Sequence, residues 1–134
     1  MKYTRHQSRQ FAVQILYTFE QNELTLQDAI DQVFANYELS NDAVEFANYT
    51  VLYKDKIDEL ISSNLTNYKL ERLNSVDRAI LRLATAELLQ GLTAKTIIIN
   101  EALDLTREFS DSGDNKAVHF NNKVLDSISK SLNK

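Results

Sequence analysis

The 134-residue sequence has no cysteine, no proline and only two glycines, Gly91 and Gly113. Without thiols there is no disulfide framework and no thiolate zinc site, and the chain suits a reducing compartment. Average usage would place roughly sixteen glycines and prolines in a chain this long, so sharp turns are few. Long helices with short polar connections are the architecture such a composition favours. No apolar run approaches the length that spans a bilayer. FAVQILYTF is interrupted by Gln14 and followed by EQNE, which excludes the cleavage pattern of a secretory signal. A transit peptide is basic and acid-poor, as this end is, but two arginines and one serine do not make one. The expectation is a cytoplasmic, all-α protein folded as one domain over residues 1–134, with no membrane association.

Acid is missing from one place in particular. Residues 1–19 carry Lys2, Arg5 and Arg9 against no acid, for +3, although the net charge is -4. Residues 20–67 then hold ten acids against Lys54 and Lys56, for -8. Residues 68–95 return to +2, and the remainder sums to -1. An acidic middle repels nucleic acid, so a polyanion would have to be held at the basic ends.

Apolar spacing predicts helices over about Thr4–Asn22, Thr25–Tyr37 and Asn41–Leu65. Thr4, Thr25 and Ser40 or Asn41 are suitable N-caps. TNYKLERLN reads as a short helical turn, Ser75 as the cap of a helix over Val76–Gln90, and two more helices follow over Thr96–Phe109 and Lys116–Leu132, with SDSGDN as a loop. In the Val76–Gln90 helix apolar residues cover more than half of the circumference, leaving a polar stripe through Arg78, Arg82 and Thr85. That helix belongs at the centre of the bundle. Within its apolar sector Asp77 suits the first turn through the helix dipole, and Glu87 calls for a structural ion pair ahead of a binding role.

Catalysis has little to stand on. His6 and His119 have no second ligand at a metal spacing and both read as surface residues. Two isolated glycines make no phosphate loop, and DSGDN lacks the later acid of a calcium loop. No enzyme, metal or cofactor is expected.

The first helix says more. Phe11, Ala12, Ile15 and Phe19 form a core face, while Arg5, His6, Arg9, Val13 and Tyr17 fall within about 120° of one another on the wheel. Cations that hold phosphates, with an aromatic ring to stack on, suit single-stranded nucleic acid. A solvated helix face with Tyr17 in the core has the same pattern, and the residues alone allow both. On the last helix Lys116, Lys123 and Lys130 recur every seven residues with Phe120 at the margin, opposite a core face of Ala117, Val118, Val124, Leu125, Ile128 and Leu132. Asn121 lies within that face and needs a hydrogen-bond partner, or costs about 1–3 kcal/mol.

SRQFAVQILYTFE, VDRAILRLATAELL, IIINEALDLTREFS and FNNKVLD, in this order and at these separations, resemble the NusB family of bacterial transcription antitermination factors. The resemblance runs over nearly the whole chain and is strongest from Leu73 to Phe109. It implies an all-α bundle of about six or seven helices in two packed subdomains. It also implies binding of boxA-like single-stranded RNA together with NusE, a small ribosomal subunit protein, within the elongating RNA polymerase complex, in support of ribosomal RNA transcription. Family members occur as monomers and homodimers. By position, Arg5, His6 and Arg9 match the arginine-rich arm and Tyr17 the tyrosine beside the RNA. Phe120 and Asn122 match the F-[VI]-N-G-V-L motif, with Lys123 at its glycine. Asp77 matches a position on the side associated with NusE, and Asn100 and Glu101 match structural polar residues. His6 and Gln7 stand where many members have arginine, Ala86 replaces a tyrosine, Ala94 a proline and Asn121 an aliphatic residue. Two other readings remain: a helical protein-binding adaptor with weak RNA affinity, and the NusB-like domain of RNA cytosine methyltransferases. The second is disfavoured because the sequence has no methyl-donor domain and no catalytic cysteine.

Overall fold

Side-chain caps start most of the helices. Thr4 and Gln7 form a reciprocal capping box, in which the Thr4 hydroxyl accepts from the Gln7 amide at 3.0 Å and the Gln7 side chain accepts from the Thr4 amide at 2.9 Å. That box opens α1, Arg5–Asn22. Thr25 caps α2, Leu26–Val33, and Ser40 caps α3, Asn41–Leu52. These elements come from a computed structural model that describes residues 2–132. The remaining helices are α4, Lys54–Ser63, α5, Ser75–Gln90, α6, Lys95–Phe109, and α7, Lys116–Leu132, with one 3-10 turn at Leu70–Arg72. The described residues contain no strand.

Three boundaries differ from the sequence expectation. The second helix stops at Val33 rather than Tyr37, because residues 34–36 loosen into turns. Those turns gather Tyr3, Phe34 and Tyr37 around Phe11 at ring separations of 4.7–5.6 Å. The expected helix over Asn41–Leu65 is two helices, divided at Tyr53, whose φ of -105° and ψ of 23° leave the helical range. The break lets α3 pack on α1 while α4 turns its fully buried Ile57 and Ile61 toward α5. Finally, Asn74 rather than Ser75 caps α5, accepting from the amides of Val76 and Asp77. Ser75 instead accepts from the side chains of Gln21 and Arg78.

α5 holds the central place expected of it. Every residue from Ala79 to Glu87 is buried, and the helix packs against α1, α3, α4, α6 and α7. It ends at Gly91, whose φ of 73° is the left-handed conformation that closes a helix without a Cβ penalty. α1, α2 and α3 pack together on one side, and α6 and α7 lie on the other side of the molecule against α5. Removing the α5 faces from water, together with Ile15, Ile57, Ile98 and Leu125 from its neighbours, supplies the main stabilisation.

The polar stripe of α5 is not a solvent stripe. Thr85 is fully buried, and Arg78 and Arg82 reach Glu20 of α1 at 2.7 and 2.8 Å. Arg82 also meets Asp58 of α4 at 2.8 Å. Four carboxylate and guanidinium groups thus join α1, α4 and α5 where apolar packing alone would have left charges stranded.

Candidate nucleic-acid interface

α1 buries two faces, so its basic side chains divide between core and surface. Besides the expected Ala12 and Ile15, the helix buries Ser8, Arg9, Val13 and Leu16, because α3 and α5 approach it from different sides. The expectation that Arg9 and Val13 lie on one open row with Arg5 and Tyr17 is therefore corrected. Arg9 is 4% exposed, and its Nε and Nη2 donate to the two carboxylate oxygens of Glu87, both at 2.8 Å. Hydrogen bonding to Glu87 outweighs the cost of burial and raises the pKa of Arg9, so the guanidinium stays charged in the core. Its third nitrogen lies 3.7 Å from Glu101. Glu87 has the ion pair that its apolar surroundings called for.

The other cations of this end also face acids. Arg5 is exposed, sits 3.4 Å from Asp42 and lies 4.9 Å above the ring of Phe46. Lys2 meets Glu38 at 3.4 Å. His6 is half-buried rather than a surface residue, with Nδ1 2.6 Å from Glu101 and Nε2 2.9 Å from Glu108, both on α6. Only the imidazolium form donates from both nitrogens. Burial disfavours that form, but the hydrogen bonds and charges of Glu101 and Glu108 outweigh it and raise the pKa above the ordinary 6.5. Gln10 also donates to Glu108, at 3.0 Å. Glu108 and Asp42 escaped sequence reasoning, since nothing local ties them to α1. The spacing of Glu101 and Glu108, seven residues apart on one helix face, was the available signal.

Tyr17 projects to solvent at 40% exposure, where a base could stack on it. On α7, Asn122 and Lys123 are exposed and Phe120 is half-buried, its ring 5.8 Å from that of Tyr68. His119 is exposed, as expected. Asn121 is fully buried and donates to Thr106 at 3.1 Å and to Asp77 at 3.3 Å. Asp77 also accepts from Ser110 at 2.7 Å. The structure thus makes Asp77 a junction between the start of α5, the end of α6 and α7, with its carboxylate partly open to solvent.

Comparison with known proteins gives a concordant result. The NusB family model matches residues 6–130. The transcription antitermination protein NusB of Sulfurimonas denitrificans is 35% identical over 133 residues, covering 95% of this chain and 97% of its own. The protein of that name in Bacillus subtilis is 33% identical over 125 residues, covering 92% and 93%. Among solved structures, NusB of T. maritima aligns with a TM-score of 0.85 at 30% identity, covering 97% of this chain and 93% of that one. A chain from a structure of antitermination factors NusB and NusE in complex with dsRNA aligns with a TM-score of 0.84 at 26% identity, covering 98% and 99%.

Proposed function

This chain belongs to the NusB family, and from that premise we propose that it is a nonenzymatic, cytoplasmic transcription antitermination factor. It holds boxA-like single-stranded RNA together with NusE in the elongating RNA polymerase complex, and it does so as one RNA-binding domain. The observation that carries this reading is the whole-chain likeness, in fold and sequence, to a NusB solved together with NusE and RNA. That RNA is double-stranded, so strand preference is part of the test.

On this reading Arg5 supplies a phosphate contact, Tyr17 a stacking face, and Phe120, Asn122 and Lys123 the α7 side of the RNA surface. Arg9 acts from beneath, fixing α1 on α5. Asp77, partly open at the start of α5, meets NusE, and Ser110 and Asn121 hold its carboxylate in place for that contact. Phosphate must compete with Asp42 for Arg5 and with the α6 acids for His6.

That competition is also what favours a second reading, a protein-binding adaptor with weak RNA affinity, since each cation at this end has an acidic neighbour. Titration with boxA-like RNA in single- and double-stranded form, with and without NusE, separates the two. Single-stranded RNA should bind, and NusE should tighten it. NusE binding without any RNA binding would leave the adaptor reading. Asp77→Lys should weaken NusE binding and also lower the thermal melt, because Ser110 and Asn121 lose their acceptor. Ser110→Ala, which loosens the same junction and keeps the carboxylate, gives the stability effect alone. Intact NusE affinity in folded Asp77→Lys would remove Asp77 from that interface.

A further inference from the structure

The arm's cations are occupied, which directs attention to cations that are not. Among the described residues Lys69, Arg72, Lys95, Lys116 and Lys123 are exposed and form no ion pair. The first two sit in the connector between α4 and α5, where Asn67, Tyr68, Lys69 and Arg72 line a cleft of about 420 Å³. We propose that this connector cleft is a nucleotide subsite of the RNA surface, with the Tyr68 ring stacking on a base and Lys69 and Arg72 holding the flanking phosphates. The proposal rests on the RNA-binding reading above and deepens it.

Three features favour this assignment over a solvated loop. First, the connector is held in one shape. The Arg78 side chain donates to the carbonyls of Leu70, Glu71 and Leu73, and Asn67 adopts the left-handed conformation with φ of 59°. A loop fixed in this way presents its side chains without the ordering cost that weakens binding by flexible segments. Second, Tyr68 is 50% exposed yet braced by the tilted ring of Phe120, so the ring is oriented while a large part of it stays open. Lys123 follows Phe120 by three residues on α7 and so lies on the same face. Third, a side-chain hydrogen bond ties the Tyr17 end of α1 to the residue that follows the connector. Gln21 lies one turn beyond Tyr17 on α1, and its side chain donates to Ser75 at 2.8 Å, just after the connector. The line from Tyr17 through Gln21 leads to the connector, whereas the line back along α1 ends at the buried Arg9.

The test measures anisotropy of a labelled, boxA-like single-stranded RNA across a salt series, using the full chain with NusE present. The double variant Lys69→Gln, Arg72→Gln should bind more weakly and lower the slope of log affinity against log salt by about 1.4, the single-strand value for two phosphates. Tyr68→Ala should lose roughly 5- to 150-fold with the slope nearly unchanged, and Tyr68→Phe should bind like the parent. Lys130→Gln, which removes one positive charge at a lysine paired with Asp126 on α7, should leave the slope unaltered. All the substituted side chains are exposed, so far-UV melts should superimpose. Parent-like affinity and slope in both the double variant and Tyr68→Ala would overturn the subsite while leaving the RNA-binding reading intact. A slope loss in Lys130→Gln equal, per charge removed, to that of the double variant would also overturn it, by making the effect one of bulk charge. Absence of RNA binding by the parent at every salt concentration would overturn both.

Discussion

α1 meets α5 through charge at both of its ends, and the two ends are built differently. Near its start a cation of α1, Arg9, closes on a single anion of α5, Glu87, and both side chains are about 95% inaccessible. Near its finish the polarity is reversed: Glu20 of α1 accepts from Arg78 and Arg82 of α5, and Asp58 of α4 shares Arg82. The first contact is a desolvated pair in which Glu87 has no second ion-pair partner among the described residues, so loss of Arg9 strands it, while Glu101 lies 3.7 Å from the Arg9 guanidinium. The second is a half-buried, branched network, in which each loss leaves partners behind. An arginine's place in a charged helix therefore says little about its role until its partner is known.

The largest effect should come from breaking the desolvated pair. Arg9→Ala leaves Glu87 uncompensated in the core and should cost about 3–5 kcal/mol, read from the denaturant midpoint. Replacing both members by apolar residues, Arg9→Met with Glu87→Leu, should restore most of that loss. An unchanged midpoint in Arg9→Ala would show that the pair contributes nothing.

At the branched end, Glu20→Gln should cost less, about 1–2 kcal/mol, because Asp58 still serves Arg82 and solvent reaches the site. Burial raises the pKa of Glu20, but its hydrogen bonds to Arg78 and Arg82 outweigh burial and hold it below the ordinary 4.5. The stability it contributes is therefore complete above pH 4.5 and lost as pH falls through its lowered value. Parent and Glu20→Gln melting curves should converge in acid.

His6 offers the opposite sign. With its pKa raised by Glu101 and Glu108, its contribution is complete below pH 6.5 and lost as pH rises through the raised value. His6→Gln should melt below the parent at pH 6, by less than about 1 kcal/mol, and the gap should close in alkali. A gap that widens with pH would refute the clasp.

The smallest effect on stability belongs to Arg5→Ala, about 0–1 kcal/mol for an exposed pair. Its expected mark is on RNA binding, a slope lower by about 0.7. Arg5 and Arg9 are four residues apart, and this contrast separates a surface role from a core role.

Much of the fold was legible because its signals are local. Thr4, Thr25 and Ser40 cap as their side chains suggest, and the apolar breadth of α5 gives its central position. The division at Tyr53 was hidden because LYK carries no glycine or proline, and only packing on α5 requires the bend. For the candidate site the limit was range. Glu87 was recognisable as a charge in need of a partner, but that partner lies 78 residues earlier, and His6 meets Glu108 across 102 residues. A helical wheel drawn on α1 alone cannot tell the side facing α5 from the side facing water.

The span of these clasps bears on the order in which the molecule assembles. Its helices can form within about a microsecond each. The contacts from α1 to α5 and α6, however, close loops of tens to about a hundred residues, and such closure slows folding beyond what an all-helical content suggests. On the ribosome, α1 can dock on α2 and α3 early, but Arg9 and His6 keep their charges in water until Glu87 and then Glu108 have emerged. At about 5–20 residues per second, that interval lasts several seconds. Arg9 and His6 are thus left open to solvent polyanions until synthesis is well advanced, whereas Lys2 and Arg5 of the same end can meet Glu38 and Asp42 as soon as the start of α3 has emerged.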